Sequence, residues 1–308
     1  YESSYLAIHP SQKFLYSETK GGNAIRVFPI NQLDGALTPV SVWLLGYSPD
    51  LEIAIHPDGK FLFGSSFTPL GRVYDELINA DGSLSTLSVP LSSDSSLSAP
   101  KSFAIKATGD YMFVADYNNN CVKIFSIDQG TGYLGFPTTM GTDTNPMAVA
   151  THPMLNYLYV ASVWWSRIQS YSINPSTGGL TVTGTPVGTG SGPNFLVIDP
   201  TGNFLYCVNR TYPSTISGYR ISQSDGTLTS LPGSPYAVTN STTVAKVLEH
   251  IAIDPTGKYL YAPVSGAGSV EGYSIDPSTG VLTHLLPLTG WSNPGTLATN
   301  PVVAAIAQ

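Results

Sequence analysis

Glu249 and His250 stand side by side just ahead of an apolar segment, Ile251-Ala252-Ile253. Glu52, Lys101 and Asn194 hold the comparable place ahead of three earlier segments of the same kind. An imidazole beside a carboxylate can take or give a proton near neutrality, and a lysine can steady negative charge developing on oxygen. A second series follows a set of aromatic segments: Glu18, Asp116, Trp164, Trp165, Asn209 and Arg210. In a ligand site the carboxylates and His250 would orient polar groups, and the tryptophans would offer flat apolar platforms. The plainer reading, which residue types alone favour, is that all of these are polar loop ends bordering a water-filled channel.

Other residues with chemical potential read as structural. His9, His56 and His152 share one register, each immediately before a proline, and Asp199 and Asp254 fill that place in later copies. A carboxylate exchanging for an imidazole predicts a turn-stabilising hydrogen bond, and ligands on successive copies around a ring do not converge on an ion. No metal and no cofactor is expected: there is no Gly-rich phosphate loop, G-x-S-x-G elbow, H-E-x-x-H pair or Asp-x-Asp calcium loop. Cys121 and Cys207 fall two copies apart and are expected as small buried hydrophobes, not a disulfide. His284 is expected to face solvent. Asn209-Arg210-Thr211 and Asn240-Ser241-Thr242 match the glycosylation sequon.

The elements that must position these residues repeat along the chain. AIHPSQKFLY, AIHPDGKFLF, AIKATGDYMF, ATHPMLNYLY, VIDPTGNFLY and AIDPTGKYLY begin at Ala7, Ala54, Ala104, Ala150, Val197 and Ala252. A second pattern follows most of them, as in IQSYSINPSTGGLTVT and VEGYSIDPSTGVLTHL. Each unit reads as four short strands: A, apolar and unbroken near an axis; B, aromatic; C, alternating; and D, opening on Leu-Thr. Turn residues such as Pro57, Gly59, Pro255 and Gly257 separate them. Four strands per unit at this period predict an all-β fold, a β-propeller of antiparallel blades, as one domain over residues 1–308. Six full units are present, and residues 294–308 look like an orphan strand. Six or seven blades, and closure of the ring or engagement of a partner by that strand, are open at this point.

Composition excludes several classes. The chain has 308 residues, a net charge of -7, 11% charged residues and 42% hydrophobic residues. It carries no basic block for nucleic acid or anionic lipid, and no apolar run long enough to span a bilayer. Starting at Tyr1, it reads as a processed or trimmed chain. Low charge and abundant Ser and Thr suit an extracellular, cell-surface or periplasmic protein.

The P-x-G-K-Y-L-Y pattern followed by Y-x-I-D-x-x-T-G-x-L-T resembles the lactonase-type, or YVTN-like, seven-bladed propeller family, which includes 6-phosphogluconolactonase-like and carboxymuconate-cyclase-like proteins. The resemblance spans nearly the whole chain and implies a site of His, Arg and Glu in the mouth of the ring. The family's G-P-R-H corresponds to Val247-Leu248-Glu249-His250, which keeps the His and has an acid in place of the Arg. A later Asn-Glu corresponds to Pro263-Val264, and a pair of His to Lys101-Ser102-Phe103, while Ala115-Asp116 keeps the family character. These departures lead to the expectation of a non-catalytic binding or structural module. It would assemble through its termini into oligomers or filaments, with Val302, Val303, Ala304, Ala305 and Ile306 as the assembly strand. Two alternatives stand beside it. One is a lactone hydrolase or cyclase, with His250 as general acid or base and Arg210 or Lys101 stabilising an oxyanion. The other is a carbohydrate-binding propeller built on Trp164 and Trp165.

Overall fold

The computed structural model describes residues 3–19, 24–38, 41–44, 52–66, 71–87, 97–239, 247–265, 267, 269–285 and 288–289. The orphan strand at 294–308, with its assembly residues Val302 to Ile306, lies outside the described residues, as does the sequon at Asn240. Within them the chain forms six antiparallel sheets built on four strands in chain order, the blades of a β-propeller. Blades 5 and 6 add short flanking strands.

The innermost strands A are Ser3–Ile8, Ile53–Ile55, Pro100–Ile105, Pro146–Thr151, Pro193–Ile198 and, in blade 6, Val247–Leu248 with Ala252–Ile253. Their apolar side chains line a central channel of about 270 Å³. The unbroken strand A expected in every unit therefore fails in blade 6, where residues 249–251 leave the strand and carry Glu249 and His250 off the ladder. Strand B follows through the A-to-B turn, and its aromatic residues pack between blades. Five apolar clusters occupy the junctions of blades 1 and 2, 2 and 3, 3 and 4, 4 and 5, and 5 and 6. Alternating side chains point to opposite faces of a blade, so blades 2 to 5 each contribute to the clusters on both sides.

A recurrent contact joins neighbours at the rim. The aromatic residue opening strand B lies against the C-to-D turn glycine of the next blade, where an added Cβ would come within 2.6 Å of the ring: Phe14 at Gly82, Phe61 at Gly132, Tyr111 at Gly178, Tyr157 at Gly226 and Phe204 at Gly280. At Gly82 both the φ of 82° and the ring of Phe14 exclude a side chain. Tyr16 and Tyr206 donate hydroxyl hydrogen bonds to the carbonyls of Gly82 and Gly280 at 2.8 and 2.7 Å. At the remaining junction Gly35 has nothing packed against it among the described residues, and Tyr259 is 41% exposed.

Cys121 and Cys207 are free and buried, as expected. His284 is exposed on the outer strand, as expected, and it also has a partner there. Its Nε2 lies 2.5 Å from Oε2 of Glu271, a carboxylate with no exposed surface, which also accepts from the Thr239 hydroxyl at 2.9 Å.

Candidate functional site

Strand A begins with a displaced residue in several blades, and these residues build the mouth. Pairing with strand B skips Lys101 between Pro100 and Ser102, Met147 between Pro146 and Ala148, and Asn194 between Pro193 and Phe195. In blade 1 the skipped stretch between Ser3 and Leu6 contains Tyr5. A bulge turns its extra residue away from the ladder and re-aims its side chain. Tyr5, Lys101, Met147 and Asn194 all point into one cleft of about 180 Å³, together with Glu52, Arg210, Glu249 and His250.

His250 is buried, 7% exposed, and held between two ring edges: Tyr5 at 4.9 Å between centroids and Phe195 at 5.0 Å. Burial lowers its pKa to about 4, with the Glu249 carboxylate opposing and the Arg210 guanidinium adding to the shift. The ring is neutral at ordinary pH. Glu52 behaves in the opposite sense. Burial raises its pKa to about 7, against the Phe103 N–H, which donates to Oε2 at 3.0 Å, and the Ser102 hydroxyl. Desolvation penalises the charged form of each, so one carboxyl titrates near neutrality beside an imidazole that does not. The Tyr5 phenol is pushed well above its ordinary pKa by burial and by the carboxylates of Glu52, Glu18 and Glu249, and stays a hydrogen-bond donor. Lys101 is lowered by burial, and its Nζ lies 5.7 Å from the centre of the Tyr117 ring. Arg210 and Glu249 form an ion pair at 2.9 Å, and Asn194 donates to the Glu249 carbonyl at 3.1 Å.

The candidates named from sequence thus divide. Glu52, Lys101, Asn194, Arg210, Glu249 and His250 converge on the cleft. Glu18 is fully buried behind it, near Tyr5. Asp116 is fully buried and serves its own loop, accepting from the Ala99 N–H at 3.0 Å, the Ser98 N–H at 3.1 Å and the Asn119 side-chain amide at 2.6 Å. Trp164 and Trp165 stand 70% and 56% exposed on the rim of blade 4 and do not line the cleft. Arg167 lies over Trp165 at 5.5 Å and is itself fixed by two 2.6 Å hydrogen bonds to Asp143. Sequence reasoning missed Tyr5, Met147, Ser102 and Phe195. For Ser102, Met147 and Phe195 the signal was the Pro-x start of strand A in blades 3, 4 and 5, where the proline marks the bulge; Tyr5 has no such mark.

Fold and mouth together define a β-propeller whose central channel opens into an acid–base cleft. The family profile described as "Lactonase, 7-bladed beta-propeller" matches residues 46–151 and 157–285, and the chain belongs to this family. Its relatives include the 6-phosphogluconolactonase of Serratia proteamaculans, 26% identical over 297 residues covering 91% of this chain and 83% of that one. The 6-phosphogluconolactonase of Yersinia pestis strain Pestoides F is 27% identical over 292 residues, covering 91% and 82%. Among solved structures, the periplasmic gluconolactonase of Pseudomonas aeruginosa superimposes with a TM-score of 0.78 at 18% identity, over 95% of this chain and 86% of that one, a likeness of fold. These findings overturn the expectation of a non-catalytic structural or binding module. The departures from the family's mouth motifs that suggested it are weighed in sequence one position at a time, whereas Glu52, Lys101, Tyr5 and His250 come together from four blades.

Proposed function

We propose that the chain is a lactone hydrolase acting at the mouth cleft. The observation that carries this reading is the meeting of Glu52, Lys101, Tyr5 and His250 in one 180 Å³ space of a chain of the lactonase family. A general base works best when its pKa lies near the working pH, and Glu52, raised to about 7, meets that condition where an ordinary carboxylate is too weak. His250, neutral at ordinary pH, is the weaker base of the two and serves as a positioning group for water or a substrate hydroxyl.

In the proposed reaction the Glu52 carboxylate takes a proton from water as the water oxygen bonds to the lactone carbonyl carbon. The Lys101 ammonium and the Tyr5 hydroxyl donate to the oxyanion that develops. The tetrahedral intermediate collapses by breaking the ring C–O bond, and the proton held by Glu52 passes to the departing alkoxide oxygen. One water is consumed, one hydroxy acid leaves, and nothing is oxidised or reduced. Low charge, abundant Ser and Thr, and the periplasmic Pseudomonas protein support a location outside the cytosol.

Titrimetric hydrolysis of a panel of five- and six-membered lactones tests the reading. Glu52→Gln and His250→Ala should each lower kcat/KM, the former by roughly 10²- to 10⁴-fold. Full activity in both variants would overturn it.

A further inference from the structure

The interior narrows the substrate class, an inference that rests on the lactone-hydrolase reading. Below the cleft lies the 270 Å³ channel, walled by inward-facing apolar residues of the strands A, among them Ala7, Ile55, Ala104, Val149 and Val197. Glu52 and Phe195 line both spaces, so a ligand held at Glu52 stands at the channel's edge. Prolines 10, 57, 153 and 200 border the channel too, on its far side in the A-to-B turns. A largely apolar space continuous with a polar cleft suits a ligand with one polar and one apolar end.

The charges of the cleft point the same way. Two carboxylates, Glu52 and Glu249, line it with two cations, Lys101 and Arg210. Arg210 is already bridged by Glu249 at 2.9 Å, and Lys101 shares the space with Glu52. Glu18 is buried just behind, within electrostatic reach of Tyr5. A phosphate monoester carries close to two negative charges at neutral pH and is best held by a guanidinium fork or several cations. It would meet balanced or net negative charge here, on a chain of net charge -7.

We propose that the site takes an uncharged lactone bearing an apolar substituent, with the lactone ring in the cleft and the substituent in the channel, and that it discriminates against phosphorylated sugar lactones. Lengthening the substituent while it still fits should raise kcat/KM by roughly two- to fourfold per methylene, from the burial of apolar surface.

The experiment compares δ-hexalactone, δ-octalactone and δ-nonalactone with glucono-δ-lactone and its 6-phosphate by initial rate. Alongside it, calorimetric titration uses the matching alkyl δ-lactam, which resists hydrolysis. Rates rising along the alkyl series, with the phosphorylated lactone poorest, are expected. Equal or faster turnover of the 6-phosphate overturns the inference and leaves the hydrolase reading standing. Lactam binding without turnover of any lactone overturns the hydrolase reading and keeps the ligand class. Failure of the lactam to bind overturns the inference whatever the rates.

Discussion

The Nε2 of His9 donates to the carbonyl oxygen of Gly59, 2.8 Å away in the following blade. His56 and His152 repeat the contact to Gly109 and Gly202 at 2.9 Å. Nδ1 of His9 and of His152 accepts the N–H two residues on, from Ser11 and Met154, at 3.1 Å. Nδ1 of His56 instead lies 2.6 Å from Oδ1 of Asp58, and each turn histidine ties two blades together through its Nε2. Asp199 and Asp254, which replace it, instead cap their own turns, accepting the N–H of Phe204 and of Tyr259 at 2.7 Å.

Gly59 has φ 78°, and a Cβ there would lie 2.6 Å from His9 Nε2. Gly59→Ala should lose about 1–3 kcal/mol from strain, with further loss as His9 is displaced. Gly35, with φ 74° and nothing within 4 Å, isolates the backbone effect. Gly35→Ala should cost about 1 kcal/mol. Urea unfolding of the two variants measures the difference. Equal losses would remove the blade-joining role of His9.

The Glu52 pKa of about 7 against an ordinary 4.5 means that the folded state holds this proton more tightly than the unfolded chain. Its contribution to stability is full below pH 4.5 and is lost as pH rises through 7. Glu52→Gln should therefore leave stability little changed at pH 4 and raise it at pH 8. The gain is about 3 kcal/mol at most, reduced by solvent screening at this half-buried group. Unfolding free energies at the two pH values test the sign. In the parent, lactone hydrolysis should rise with pH about a midpoint near 7, and that limb should vanish in the variant.

His250 gives a dependence on the acid side. With its pKa taken from 6.5 to about 4 by burial, its contribution is full above pH 6.5 and is lost as pH falls toward 4. His250→Gln should flatten the loss of stability between these values, by up to about 3 kcal/mol. Thermal unfolding of both proteins at pH 4 and pH 7 would show an unchanged gap if the imidazole were not buried neutral.

Asp116 separates structure from chemistry. Because its carboxylate accepts two backbone N–H groups and the Asn119 amide, Asp116→Asn should lower stability by about 1–3 kcal/mol. The expected lactone kcat/KM, measured well below the melting temperature, is that of the parent. A selective fall in kcat/KM with unchanged stability would place Asp116 in the site after all.

How much of this was legible beforehand follows from what repeats. Strand order, turn glycines, and the apolar strands A recur in every unit because each blade meets the same neighbours, and six copies state the same requirement six times. The register of His9, His56 and His152 was readable for the same reason, as were Glu52, Lys101, Asn194 and His250 as residues at one end of the ring. The mouth itself breaks the repeat. Tyr5 faces Glu52 and His250 because a bulge at the head of strand A turns it inward, and Asp116 faces away because a loop supplies its N–H donors. Those outcomes depend on pairing register and on which side chains from different blades share one desolvated space. Single-chain patterns carry neither, so the acid–base character of Glu52 and the neutrality of His250 arise only when the ring brings its blades together.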